Sequence, residues 1–210
     1  MKNIKIRVTF AEEALGTSPS NEDIYRDFIA SKAPDASTVE NEVESIGVAG
    51  VVEKGMTVFP KLEDGTPFLY DYQIKGFFKD ACGSLSRVGG KDEKGKKQPQ
   101  NESGKLSAYK KTIDGLIFPQ PRQITLCLPN GAVVGKCERH IRINDATGER
   151  VALAISESVP AGTCFECNIL LLDSGLEKVL REWLDYGVLR GLAQWRNSGK
   201  GRFTWEEVKE

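Results

Sequence analysis

The segment EDGTPFLYDYQIKGFFKDACGSLSR, residues 63–87, runs from a Gly/Pro turn into a helical pattern. Glu63, Asp64, Gly65, Thr66 and Pro67 carry turn chemistry. After them Tyr70, Ile74, Phe77, Phe78, Ala81 and Leu85 recur at helical spacing and predict one apolar face that must be covered. What lies on either side of this helix therefore sets the fold class.

Towards the N-terminus, Ile4, Ile6, Val8 and Phe10 alternate as in a half-buried strand. Ser20 can cap a helix over 21–32 carrying Ile24, Phe28 and Ile29, which Pro34 stops. Ser37 and Glu40 form a capping box for a second short helix with Val39, Val43 and Ile46, and a short strand is expected over 57–60. Towards the C-terminus the chain turns strand-rich, with strands expected over 122–128, 132–144, 150–156 and 163–172 between Pro/Asn/Gly turns. A last helix begins at a capping box of Ser174 and Glu177, presents Leu176, Val179, Leu180, Trp183, Leu184 and Val188, and stops at Gly191. The reading is α+β, treated as a single domain over 1–210.

Between these halves lies VGGKDEKGKKQPQNESG, residues 88–104, with almost no apolar side chain. Such a stretch cannot bury enough surface to offset its ordering entropy, so a flexible basic loop is expected. The net charge of −1 hides an asymmetry: residues 87–111 carry +5 and the rest of the chain −6. A cationic segment on an acidic body suits a polyanion contact.

The chain opens directly on a strand pattern and has no apolar run near the ~20 residues of a membrane span, so a cytoplasmic protein with no membrane partner is expected. The odd count of five cysteines fits reduced thiols. Cys164 and Cys167 lie three apart in a strand pattern and point to opposite faces, which opposes chelation. A zinc site from Cys127, Cys137, Cys164 and Cys167 is the competing arrangement; small core cysteines are the favoured one, with no cofactor expected. There is no GxSxG, Walker or HExxH motif, and the single histidine, His140, excludes two-histidine chemistry.

The other telling stretch is GLAQWRNSGKGRFTW, residues 191–205. Gly199 and Gly201 can take positive φ, and backbone N–H groups in such a loop can converge on an anion. Arg196, Lys200 and Arg202 supply charge, while Tyr70, Tyr72 or Trp195 offer faces on which bases could stack.

Taken together, 65–81, the strands over 149–171 and the glycine loop resemble the RAMP superfamily, the ferredoxin-like or RRM-like proteins of CRISPR effector complexes. The likeness spans roughly 50–205. Gln73, Lys75 and Gly76 match the position where the family's Lys-Gly helix start touches guide RNA. Gly191, Asn197, Ser198, Gly199, Lys200, Gly201 and Arg202 match its glycine-rich loop. The resemblance implies an antiparallel ferredoxin-like sheet with flanking helices, single or pseudo-duplicated. It also implies a non-catalytic binder of single-stranded nucleic acid, RNA foremost, contacted through Gln73, Lys75, Gly76, Lys94, Lys96, Lys97, Arg196, Asn197, Ser198, Gly199, Lys200, Gly201 and Arg202. Partners would be single-stranded RNA or DNA, further copies along the strand, or CRISPR effector subunits. The family's target-cleaving acid has only Glu53 as a counterpart here. The chain resembles a stand-alone relative, similar to RAMP-like proteins carried by phages and other mobile elements. Two other functions stay open: an interaction protein that mimics a RAMP subunit and blocks a host CRISPR complex, and a metal-independent ribonuclease using His140.

Overall fold

The computed structural model describes residues 1–20, 56–91, 97–145 and 148–208. They group into two compact units: Met1–Ala14, Lys61–Ala132 and Pro160–Glu210 form one, Leu15–Pro60 and Val133–Val159 the other. The helices expected over 21–32 and around 37–46, together with Glu53, Lys94 and Lys96, lie outside the described residues. Among the described residues no helix is long and apolar enough to cross a membrane.

The first unit is built on strand β1 (Lys2–Phe10), whose Ile4, Ile6, Val8 and Phe10 are all buried. β1 pairs antiparallel on one edge with β13 (Phe203–Glu207) and on the other with β12 (Cys164–Leu171), which in turn pairs with β8 (Ile117–Gln120). The spatial order is β13-β1-β12-β8. With helix α1 (Asp71–Leu85) between β1 and β8, and helix α4 (Glu177–Arg190) between β12 and β13, this is the βαββαβ path of the ferredoxin-like fold. It occurs once among the described residues.

The helices are held by the stripe the sequence predicts. Ile74, Phe77, Phe78 and Ala81 of α1 are buried, as are Val179, Leu180, Trp183 and Leu184 of α4. Phe78 packs on Trp183 with ring centroids 5.5 Å apart, and Phe77 meets Phe203 of β13 at 5.4 Å. Each such side chain contributes about 1.5–3 kcal/mol by leaving water. Gly187 of α4 is required here, because a Cβ would lie 2.0 Å from the Phe203 ring.

Several boundaries differ from expectation. Phe68–Tyr70 is a strand, β5, paired with β9 (Gln123–Thr125), so Tyr70 precedes the helix and does not belong to its stripe. Asp173, not Ser174, caps the last helical segment: its carboxylate accepts the Gly175 N–H at 2.8 Å, and a 3-10 turn over Ser174–Leu176 leads into α4. Val188 is 43% exposed, on the far side of α4.

The described parts of segment 88–104, on either side of 92–96, carry secondary structure where a structureless loop is expected. Gly89–Lys91 (β6) pairs with Lys97–Pro99 (β7), and Glu102–Lys105 forms a short helix, α2. Polar groups replace the missing apolar anchors. Asn101 caps α2 by accepting from Gly104 N–H at 2.7 Å and donates to Leu85 O at 2.8 Å. The Glu182 carboxylate of α4 accepts from the backbone N–H of Glu102 and Ser103 at 3.1 and 2.9 Å, and Trp183 Nε1 donates to the fully buried Ser103 hydroxyl at 2.9 Å. Helix α3 (Tyr109–Leu116), which the sequence did not signal, then delivers the chain to β8.

In the second unit β10 (Gly135–Asp145) and β11 (Gly148–Val159) form a long antiparallel ribbon. After the two-residue β2 (Ala14–Leu15), β3 (Ser18–Pro19) pairs antiparallel with β4 (Thr57–Val58), which lies parallel to β11. Thr57 and Ser156 hydroxyls bond at 2.7 Å, and Phe59 N–H donates to Glu157 at 3.0 Å.

Candidate nucleic-acid interface

The first unit brings two predicted groups of residues onto α1 and the loop that follows α4. The 15-residue α1 starts where Gln73 Oε1 accepts the Tyr70 N–H at 2.7 Å. That side chain serves as a helix cap, which fixes the first turn. Lys75 lies with Nζ 4.4 Å from the centroid of Phe118 and donates to Asp114 O at 3.1 Å, while Lys79 pairs with Asp114 at 2.6 Å. The ammonium of Lys75 is thus held in a defined place on an apolar stem.

Gly76 is exposed, and a Cβ there would meet nothing within 4 Å. A glycine inside a helix costs roughly 0.5–1 kcal/mol against alanine. Nothing in the described chain calls for it. Tyr72 sits one turn earlier on the same side, 45% exposed, and Arg122 lies beside it, joined to Asp71 at 2.8 Å.

The C-terminal loop is shaped by special backbone angles and internal hydrogen bonds. Gly191, Gly199 and Gly201 have φ of 80°, 85° and 71°, as the glycine spacing predicts. Ala193 and Trp195 also take positive φ, 71° and 54°, a strained state for residues with a Cβ. At Gly201 a Cβ would lie 1.9 Å from Leu192 O, so the position has no room as well as a special angle. The expected amide nest is spent internally: Ser198, Gly199 and Gly201 N–H donate to Trp195, Arg196 and Glu13 carbonyls at 3.1, 3.0 and 2.8 Å. These three N–H groups are turned away from any anion, and the charge of the loop is carried by its side chains.

Those side chains are pre-placed by acids, of which Asp80 was not singled out by sequence reasoning. Asp80 of α1 receives Arg196 at 2.8 Å and Arg190 at 3.0 Å, and Arg190 also donates to Asn197 at 2.7 Å. The Arg190 guanidinium is held above its ordinary value by its hydrogen bond to Asp80. Lys200 pairs with Glu13, both partly exposed. Arg202 is exposed and commits Nε to Leu189 O at 3.1 Å. Asn197, Ser198, Gly199, Lys200, Arg202 and Glu12 line an open depression of about 370 Å³.

The open face of the sheet offers a different chemistry. Glu166 accepts from Lys5 at 3.0 Å and Arg7 at 2.6 Å, and Arg7 reaches Glu206 at 3.4 Å. Hydrogen bonds from Lys5 and then Arg7 hold the Glu166 carboxyl below its ordinary range. Phe10, Phe165 and Phe203 of β1, β12 and β13 are buried on the other side, where the half-buried Trp205 of β13 also lies, donating Nε1 to Asp185 of α4 at 2.9 Å, so among the described residues these strands place no ring on the open face of the kind an RRM uses to stack bases.

Cys164 and Cys167 point to opposite faces as the strand reading predicts, but of the four cysteines weighed for zinc only Cys167 is a core residue, since Cys127 is exposed and Cys137 and Cys164 are half-buried. Cys167 is buried in the core, and Cys164 lies on the opposite face beside Cys127, their backbones bonded at 2.7 and 2.9 Å. Cys137 belongs to the second unit. His140 lies exposed on β10 opposite Leu153. Lys97 closes the β6–β7 ladder through its backbone.

No protein-family model matches the sequence, and no curated protein matches it. Solved structures do. A chain of the type III-B Cmr-beta complex bound to cognate target RNA superposes with a TM-score of 0.55 at 10% identity over 99% of this chain. This protein spans 58% of that chain's length. Cmr6 from Pyrococcus furiosus superposes with a TM-score of 0.51 at 10% identity, covering 97% of each chain. The architecture is mixed α+β with largely antiparallel sheets, similar in fold to these two chains.

Proposed function

We propose that this protein binds single-stranded nucleic acid, RNA in preference to DNA, as a non-catalytic RAMP-type subunit whose partners are the strand and other CRISPR effector subunits. The observation that carries the reading is Gly76. It is a solvent-facing glycine in a helix interior where the fold has no use for one, beside a cation held in place at Lys75. A glycine there removes the side chain that would keep a sugar-phosphate backbone away. The likeness to a chain from a complex bound to target RNA supports the same reading.

Lys75, Arg202 and the exposed parts of Arg196 and Lys200 would meet phosphates. Asn197 and Ser198 would add neutral hydrogen bonds. The sole histidine faces an apolar cross-strand residue, Leu153, which supports binding over cleavage.

The test is fluorescence anisotropy of a labelled single-stranded RNA of about 30 nucleotides across a salt series, where each phosphate neutralised should steepen the log–log slope by about 0.7. Binding that weakens with such a slope supports the assignment. Affinity indifferent to salt, or a protein that captures CRISPR subunits but no RNA, would replace it with the mimic reading.

A further inference from the structure

We propose that Tyr72 is a stacking platform for one nucleobase, backed by Tyr70 and flanked by Arg122. The inference rests on the nucleic-acid reading above and names a subsite within it. Tyr70 and Tyr72 stack with centroids 5.1 Å apart and planes 17° from parallel. Tyr70 in turn meets the buried Phe68 edge-on at 4.9 Å and 83°. The three rings form a column that starts in the core and ends at the 45% exposed Tyr72.

The column is fixed from both sides. β5 pairs Phe68 with Thr125 and Tyr70 with Gln123, and Asp71 N–H donates to Arg122 O at 3.0 Å. The Arg122 side chain bonds Asp71 at 2.8 Å and sits 5.7 Å from the Tyr70 centroid and 5.8 Å from that of Tyr72. Near-equal distances to two parallel rings put the guanidinium along the flank of the pair, not across its end. The charge therefore lies beside the outer ring, where the phosphate or polar edge of a stacked nucleotide would fall.

The neighbouring geometry gives the platform an occupant. Tyr72 and Gly76 are four residues apart and share one side of α1, so a strand whose backbone passes over Gly76 brings a base within reach of Tyr72. Every base has a π-face, so the site selects single strands over duplexes without reading sequence. Because the ring pair is pre-stacked and mounted on a capped first turn, little ordering is needed on binding.

The experiment uses the full chain and oligouridylates carrying a single 2-aminopurine at successive positions. Binding should quench the fluorophore strongly at one position. Tyr72→Leu should abolish that quench and weaken binding about tenfold, leaving the salt slope unchanged because no charge is removed. Tyr72→Phe and Tyr72→Trp should restore both, which separates a lost stack from a damaged fold. If Tyr72→Leu binds and quenches like the parent, the platform is overturned while the strand-binding reading stands. If the parent protein binds no single strand at all, both fall together.

Discussion

Arg196 Nη1 and Asp80 Oδ2 lie 2.8 Å apart, tying the C-terminal glycine loop to the middle of α1. Tyr72 and Asp80 are eight residues apart on that helix, a rise of about 12 Å at 1.5 Å per residue. The ion pair thus sets the spacing between the two groups proposed to hold the strand. Arg190 shares the same carboxylate, so one acid positions two cations. Asp80→Ala should lower stability by about 1–2 kcal/mol, since the pair is only about one quarter exposed on each side. Chemical denaturation should show it, and RNA affinity should fall as well, because Arg196 loses its fixed position. A variant with unchanged stability and affinity would show that the loop is held by its backbone alone.

The cations of the loop separate by role. Arg202 is exposed, and among the described residues its Nε alone is committed, to Leu189 O. Arg202→Ala should change stability by no more than about 0.5 kcal/mol and reduce the salt slope of RNA binding by about 0.7–1 unit. A parallel salt titration of the two proteins checks this, and an unaltered slope would remove Arg202 from the interface.

The loop glycines should respond to alanine unequally. At Gly201 a Cβ would press to 1.9 Å from Leu192 O at a φ of 71°, so Gly201→Ala should cost at least about 2–3 kcal/mol. Gly199 has φ 85° but open surroundings, its nearest contact being Arg202 at 3.6 Å, and should cost about 1 kcal/mol. Thermal melts of the two variants should preserve that order.

Much of this was written in local patterns, and what was missed has physical causes. The alternation at Ile4, Ile6, Val8 and Phe10 and the stripe at Ile74, Phe77 and Phe78 are short-range signals, and they place β1 and α1 correctly. The glycine loop likewise declares its positive φ. The end of segment 88–104 misleads because its order comes from polar groups far away in sequence: Ser103 meets Glu182 and Trp183 across about eighty positions. Only Asn101, an N-cap residue followed three places later by its bonded Gly104, left a local trace. Asp80 and Asp114 escaped notice for the same reason, since their cationic partners come from distant elements.

That remote anchoring is testable. Glu182→Ala would strip the acceptor from the backbone N–H of Glu102 and Ser103 and should destabilise by about 1–3 kcal/mol. Hydrogen exchange should rise at residues 102–105 while the β1–β12 core stays protected. Uniform protection across both would deny Glu182 its anchoring part.

The thiols should divide by burial. Burial pushes Cys82 up to about 11 and Cys167 up to about 12. An unfolded thiol ionises near about 8.5, so the native state favours the protonated form. This stabilisation is complete below that pH and is lost as pH rises towards the folded values. Iodoacetamide on the native protein at about pH 8 should label the exposed Cys127 and spare Cys82 and Cys167. Peptide mapping reads the result, and early labelling of Cys167 would contradict its place in the core.

The most direct measurement of the central claim is RNA affinity and melting temperature of Gly76→Leu, taken side by side with the parent. A Cβ at this position has open space, and leucine is the better helix former by roughly 0.5–1 kcal/mol, so the variant should melt at the same temperature or higher. The same side chain would stand where the sugar-phosphate backbone is proposed to pass, and affinity for a single-stranded RNA of about 30 nucleotides should drop tenfold or more. Stability kept and binding lost is the result this account predicts. Binding equal to that of the parent would show that α1 does not carry the strand.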